Sequence, residues 1–161
     1  MNELFFLLIE SMKEEALCYR RLALLACDQK ELLMVGNVDA LKENARLQEK
    51  QVFALTPIIG RREEVLNNMA KMSGVKKMSL NEAAQRASVE IAGGFKQALS
   101  DLVQAAKELA AINSVSGKLL ENAIAFTNFT MKAIREGGKK KTFSMAVAVE
   151  DNKPSFVNRI V

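Results

Sequence analysis

A hydrophobic repeat that starts at Ile91 constrains this chain more than anything else in it. It passes through Phe95, Ala98, Leu102, Ala105, Leu109, Ile112 and Ser116, then Leu119, Ala123, Phe126, Thr130 and Ala133, in steps that alternate between four and three residues for six heptads. Such steps hold apolar side chains on one face of a helix, whereas a strand would need steps of two. Sustained over that length, the pattern requires a long helix lying along another helix, as in a coiled coil. The rest of the chain agrees, because 161 residues contain only 8 glycines and 2 prolines, so few positions force a helix to stop. The expected class is all-α, an antiparallel bundle or coiled coil of long helices.

Two further stripes supply the neighbours. Phe5, Ile9, Met12, Ala16, Tyr19, Ala23 and Ala26 repeat the spacing in a first helix, which Gly36 can end and after which Asn37 can cap the next. In the second, the stripe is Leu41, Ala45, Gln48, Val52, Leu55, Ile59, Arg62, Leu66 and Met69. Gln48 and Arg62 interrupt it, and polar residues at such positions set register at a cost in stability. Pro57 removes a backbone donor inside this helix and predicts a bend near residues 53–57. Ser79-Leu-Asn-Glu82 has the capping-box form that starts a third helix. The reading is three long helices at 3–35, 38–72 and 80–136, with the third open to a break at Gly93-Gly94 or near Asn113.

Length then separates the third helix from the others. Helices of the first two sizes are about 50 Å long, against about 85 Å for residues 80–136 in one piece. Residues past about Asn113 are therefore expected to run out of partners, so that the chain either folds back as a fourth helix or projects an apolar stripe. In both cases Leu119, Leu120, Ala123, Ile124, Phe126 and Phe129 must be covered by something.

Composition changes at Gly137-Gly138. Residues 1–136 hold 18 Lys and Arg against 17 Asp and Glu; residues 137–161 hold five (Lys139, Lys140, Lys141, Lys153 and Arg159) against two (Glu150 and Asp151). Phe143, Met145, Val147 and Val149 there alternate with smaller residues in the period of a strand. Residues 1–138 are read as a helical domain and 139–161 as a basic tail, flexible or strand-like, since a lone hairpin is marginal in water.

Most chemistries are excluded by what is missing. There is no histidine, the commonest general base and metal ligand. Glu14-Glu15 and Glu63-Glu64 are adjacent pairs whose side chains diverge by about 100° around a helix. Gly93-Gly94 has none of the context of a phosphate loop. No catalytic site, metal or cofactor is expected. Cys18 and Cys27 stand about 13 Å apart along one helix and cannot pair. Both are expected to be buried small hydrophobes in a reducing, cytoplasmic compartment. The apolar run near the N-terminus is short and led by Glu3, unlike a secretion signal, and no run reaches the length of a membrane span, so no stable membrane insertion is expected. The isoelectric point of about 9.1 invites a nucleic-acid reading. The basic run at Lys139 is short, however, and Arg20-Arg21 and Arg61-Arg62 are balanced by Glu14, Glu15, Glu63 and Glu64, so a solvated face and no nucleic acid are expected. Met69, Met72 and Met78 fit gap-filling in a core or an adaptable surface. What remains is a helical protein that binds a partner or itself. It is either a chaperone for an amphipathic segment or a structural adapter that homodimerises.

One stretch carries a resemblance. Leu17-Cys-Tyr-Arg-Arg-Leu-Ala-Leu-Leu-Ala-Cys-Asp-Gln-Lys-Glu-Leu-Leu-Met-Val-Gly-Asn-Val-Asp-Ala-Leu41 is followed by Glu49, Gln51-Val52 and Arg61-Arg62-Glu63, and later by Asn113, Gly117 and Leu119-Leu120. This resembles the FlgN family of flagellar export chaperones over most of the chain. The resemblance implies a cytoplasmic protein that binds the C-terminal helical regions of the hook–filament junction (hook-associated) proteins, prevents their premature association and hands them to the flagellar export apparatus. It puts the partner-binding residues in the C-terminal half, at Asn113, Gly117, Leu119, Leu120, Ala123, Ile124, Phe126 and Phe129. Tails in this family often carry a tyrosine used at the export gate. No tyrosine follows Tyr19 here, and Phe143 or Phe156 is the candidate substitute. A homodimeric coiled-coil adapter is the alternative.

Overall fold

The structure is a computed structural model, described here for residues 1–135. It contains α1 (Asn2–Val35), α2 (Val38–Met72), α3 (Leu80–Arg86) and α4 (Val89–Arg135). Among the described residues there is no strand, as the all-α reading requires. The basic tail, with its period-two pattern, lies outside the described residues.

The turns form for the reasons their residues suggest. Gly36 ends α1 at φ 69°, a left-handed conformation that costs a residue with a side chain about 1 kcal/mol or more. Its amide and that of Asn37 close back onto Leu33 and Leu32. The Asn37 side chain then accepts from the Ala40 amide at 3.1 Å and starts α2. At Ser79, the hydroxyl accepts from the Glu82 amide while the Glu82 carboxylate accepts from the Ser79 amide at 2.7 Å, completing the capping box. The Ser79 hydroxyl also donates to the Glu82 carboxylate at 2.8 Å, and the two donations, from the Ser79 amide and then the hydroxyl, hold the Glu82 carboxyl below its ordinary range.

α1 is the central rib. It packs along both α2 and α4, which scarcely touch each other. Its pairing with α2 is antiparallel: Asn44 Nδ2 donates to the Leu25 carbonyl at 2.9 Å, Gln51 Nε2 to Cys18 Sγ at 3.7 Å, and Arg61 to Glu14 at 3.1 Å. With α4 it runs parallel. Phe5 meets Phe95 edge to face with centroids 5.8 Å apart, and Ser116 Oγ donates to the Ala26 carbonyl at 3.4 Å. A rib flanked on two sides needs two apolar lines. Besides the stripe from Phe5 to Ala26, α1 buries Leu8, Ser11, Glu15, Cys18 and Leu22, a line that a search for one stripe passes over.

Several expectations are corrected. The third helical region breaks at Ala87-Ser88, not at Gly93 or Asn113. Ala87 turns extended, and the Ser88 carbonyl accepts from the Ile91 and Ala92 amides at 2.9 and 2.8 Å to begin α4. Gly93-Gly94 stays helical because Ile91, Phe95 and Ala98 on either side are buried, and packing there offsets the propensity cost of about 1 kcal/mol per glycine. At Pro57, where a bend and not an end of the helix is expected, α2 stays helical; both Pro57 and Phe53 are exposed, so the backbone acceptor that loses its donor faces the wet side. Only the second half of its stripe is core: Leu55, Arg62, Leu66 and Met69 are buried, Ala45 and Val52 exposed. Cys18 is buried but Cys27 is exposed. Met69 and Met78 fill the core beside Ala83, while Met72 is exposed.

Arg62, which interrupts the stripe of α2, is matched by a carboxylate on α1. Its Nε donates to Glu15 Oε2 at 2.7 Å, and the Tyr19 hydroxyl donates to Glu15 Oε1 at 2.9 Å, all three side chains lying inside the core. Burial, followed by the neighbouring Glu15 charge and hydrogen bond, raises the Tyr19 hydroxyl far above its ordinary value of 10. The folded protein therefore keeps a proton that the unfolded chain releases above about pH 10, so this contribution to stability is whole below pH 10 and falls as pH rises beyond it. Tyr19 is the chain's one tyrosine. Ultraviolet titration should show no phenolate until the protein unfolds in alkali; a simple titration near pH 10 with the fold intact would contradict the buried triad.

Candidate partner-binding surface

The register set by Phe5 with Phe95 and Ala26 with Ser116 places Val35, the last residue of α1, level with about residue 125 of α4. The remaining turns of α4 reach about 15 Å beyond. Since α4 is continuous to Arg135, the fold-back arrangement is not adopted and the helix projects its stripe. Loss of cover begins after Ser116, the last buried residue of α4 among those whose burial is described, rather than at Asn113.

The partner-binding candidates straddle the end of α1: Asn113 to Ile124 lie on the turns of α4 level with the last turns of α1, and Phe126 and Phe129 on the projecting portion. Asn113, Gly117 and Ala123 are exposed, and Leu119 and Phe129 are half-buried. Leu120, Ile124 and Phe126 are 46%, 53% and 61% exposed. Met131, at 57%, belongs with them, and the spacing Gly117, Leu120, Ile124, Met131 could have found it as a second line beside the four-three stripe. At the same end, Met34, Val35 and Val38 expose the tip of the α1–α2 hairpin. Nothing in the sequence singled out those three, because they fall at a turn, where periodicity carries no signal. Phe143 and Phe156 lie outside the described residues.

Such a surface offers no bond-making chemistry. Its hydroxyls, Thr127 and Thr130, are engaged with the carbonyls of Ala123 and Phe126 at 2.9 Å in their own helix. What it offers is apolar area, which soluble proteins rarely leave contiguous and open without a partner for it. Among the described residues no group of His, Cys, Asp or Glu is placed to hold a metal ion, and no helix is long and apolar enough to cross a membrane.

Gly117 sharpens the picture. Nothing in the protein lies within 4 Å of where its Cβ would be, so its smallness serves no contact within the described fold. Gly117→Ala should raise stability by up to about 1 kcal/mol, seen as a melting point higher by a few degrees. A lower melting point would mean that the bare backbone is needed by the fold itself.

Comparison with known proteins gives one family. A family model described as FlgN protein matches residues 1–146, which include all four helices. No curated protein and no solved structure matches the chain. A match of that extent, on a chain whose long final helix projects an apolar face, places it: the chain belongs to the FlgN family, whose members are chaperones of flagellar export.

Proposed function

We propose that this chaperone works in the cytoplasm on the hook-associated proteins, binding their C-terminal helical regions on the projecting end of α4, keeping them from associating early and delivering them to the export gate. The observation that carries this reading is the course of α4. Its apolar stripe loses its cover along the last turns of α1, its one long neighbour among the described residues, and continues past the end of that helix, leaving Leu120, Ile124, Phe126 and Met131 open. An amphipathic client helix waiting for export hides its own apolar face by lying there, helix against helix. Asn113, Gly117, Leu119, Ala123 and Phe129 complete the proposed contact. The absence of buried charge on this surface suits a client that must later be released.

Co-expression with each hook-associated protein of the same organism tests the reading. A chaperone gives a 1:1 complex with one or more of them. A stable dimer indifferent to all of them would instead establish the adapter. We further propose that residues 1–138 form the binding domain and that the tail serves delivery, with Phe143 or Phe156 at the gate. Removing residues 139–161 should then leave the melting point and client binding unchanged while export fails. A large drop in melting point would show that the tail is structural.

A further inference from the structure

We infer that the client helix runs from the open end of α4 down into a trough between α2 and α4, where it lies as a fourth long helix of the bundle. This rests on the reading of that end as the client site. Two ion pairs show how α2 and α4 are turned about α1. Glu14 and Arg20 stand just outside the two edges of the buried arc of α1. They pair with Arg61 of α2 at 3.1 Å and with Asp101 of α4 at 3.9 Å, and each pair closes the outer flank of its interface. The opposite flanks, about 160° round α2 from Arg61 and round α4 from Asp101, therefore face one another across α1. Since α2 and α4 scarcely touch, the space between those flanks is a trough.

Both walls carry apolar lines with the spacing of a helix seam. On α4 the line steps by fours and threes from Leu99 to Ile124, through Val103, Ala106, Ala110 and Gly117, and holds no charged residue. On α2 it is Leu41, Ala45, Val52 and Ile59, the part of the stripe that the core leaves out. Ala45 is exposed there and Val52 is 38% exposed. The trough is about 30 Å long. At its lower end the protein bridges the same two walls with a helix of its own, because α3 touches both α2 and α4 and buries Ala83. Ala70, five turns along α2 from Val52 and on the same line, is 2% exposed at that end. Above α3 no described element fills the place. Ala45, Ala106, Ala110 and Gly117 are small, which leaves room for a helix to approach closely.

The rims give the occupant its chemistry. Glu49 and Glu63 border the α2 line, Lys96 and Lys107 border the α4 line, and none of the four is in an ion pair among the described residues. Nearer the tip of the α1–α2 hairpin, Lys42 and Glu121 reverse the signs. The occupant is one amphipathic helix of the client, whose inner part carries basic residues along its α2 edge and acidic ones along its α4 edge. It reaches this seat from the open end without a break, because Leu120 and Ile124 belong to the same line as Leu99 and Val103. A second copy of this chain has most of its own stripes buried inside its own bundle. Residues 142–149 of the tail step by twos and do not match a seam of fours and threes.

The test titrates the full-length protein with the C-terminal helical region of a hook-associated protein that it binds. Ala45→Glu and Val52→Glu, on α2 and away from the end of α4, should each weaken binding at least tenfold. Phe53→Glu, one residue on but about 100° round the helix and 82% exposed, should stay within twofold. Glu49→Lys with Glu63→Lys should weaken binding at least fivefold at low ionic strength and less in about 1 M salt; no change would overturn the charge pattern assigned to the client helix. If Ala45→Glu and Val52→Glu stay within twofold while Phe126→Asp removes binding, the client lies on the end of α4 alone; the inference falls and the client reading stands. If Phe126→Asp and the α2 variants all leave binding unchanged, the client reading itself falls and takes this inference with it. A dimer of the free protein that Val52→Glu dissolves, with client binding intact, would overturn it in favour of a second copy. Circular dichroism confirms the helices of each variant, since residues 45, 52 and 53 are all exposed. Val52→Ala, which removes only apolar contact, should weaken binding in the same direction.

Discussion

Phe126→Asp should leave the free protein as stable as before and remove client binding, whereas Leu102→Asp, on the same heptad stripe, should unfold it. Phe126 is 61% exposed on the end of α4, and Leu102 is 1% exposed in the core between α4 and α1. An aspartate at 126 remains in water, where surface changes move stability by about 0.5 kcal/mol or less. The cost appears only when a client helix covers it. Burying an unpaired carboxylate there costs about 3 kcal/mol or more, a loss of about a hundredfold in affinity. At 102 the same carboxylate is buried by folding itself, and a domain with about 5–15 kcal/mol of total stability does not carry that together with the loss of a core leucine. Thermal melting and a binding titration of both variants check this. If Phe126→Asp melts early, residue 126 belongs to the fold and the projecting surface is not a free one.

The same pair shows what was legible in the sequence. Leu102 and Phe126 stand on one repeat, at its two alternate apolar positions, and periodicity registers both as apolar positions of a helix without saying whether the chain itself supplies the cover. Length supplied the difference: α4 is longer than α1, so part of its stripe had to outlast its neighbour. That argument located the surface while placing its start a little early, at Asn113 instead of after Ser116. It assumed a common end for all helices, whereas α3 and the break at Ala87-Ser88 take up part of the length. The break itself was hidden because helix propensity points to Gly93-Gly94, and tertiary packing of Ile91 and Phe95 overrides it. The second apolar line of α1 was hidden for a different reason. Leu8, Ser11, Glu15, Cys18 and Leu22 include a serine and a glutamate, and a hydrophobicity pattern counts both as surface. Only the pairing across helices shows that they are core.

That pairing leads to a second large effect on stability. Arg62→Ala leaves the Glu15 carboxylate, with no exposed side-chain surface, holding one hydrogen bond from Tyr19 and no counter-charge. Removing one member of a buried pair costs about 3–5 kcal/mol, which for a domain of this size lowers the melting point by about 10–20 °C. The triple replacement Glu15→Leu, Tyr19→Phe and Arg62→Met removes every buried polar group of the triad together, and should return stability to within about 1 kcal/mol of the original, because the desolvation that the ion pair must overcome disappears with it. What the triple variant should lose is register. Arg62 and Glu15 lock α2 to α1 at one relative position, and an apolar seam of Leu, Met and Phe tolerates a slide of one turn. Spin labels at Leu24 and Arg46, both exposed and nearly level across the α1–α2 pair, would report this in a Cys27→Ser background. The expected result is a single narrow distance in the original sequence and a broadened one in the triple variant at equal melting point. A distribution as narrow as the original would mean that side-chain shape alone sets the alignment of the two helices, and that the buried charges contribute nothing to it.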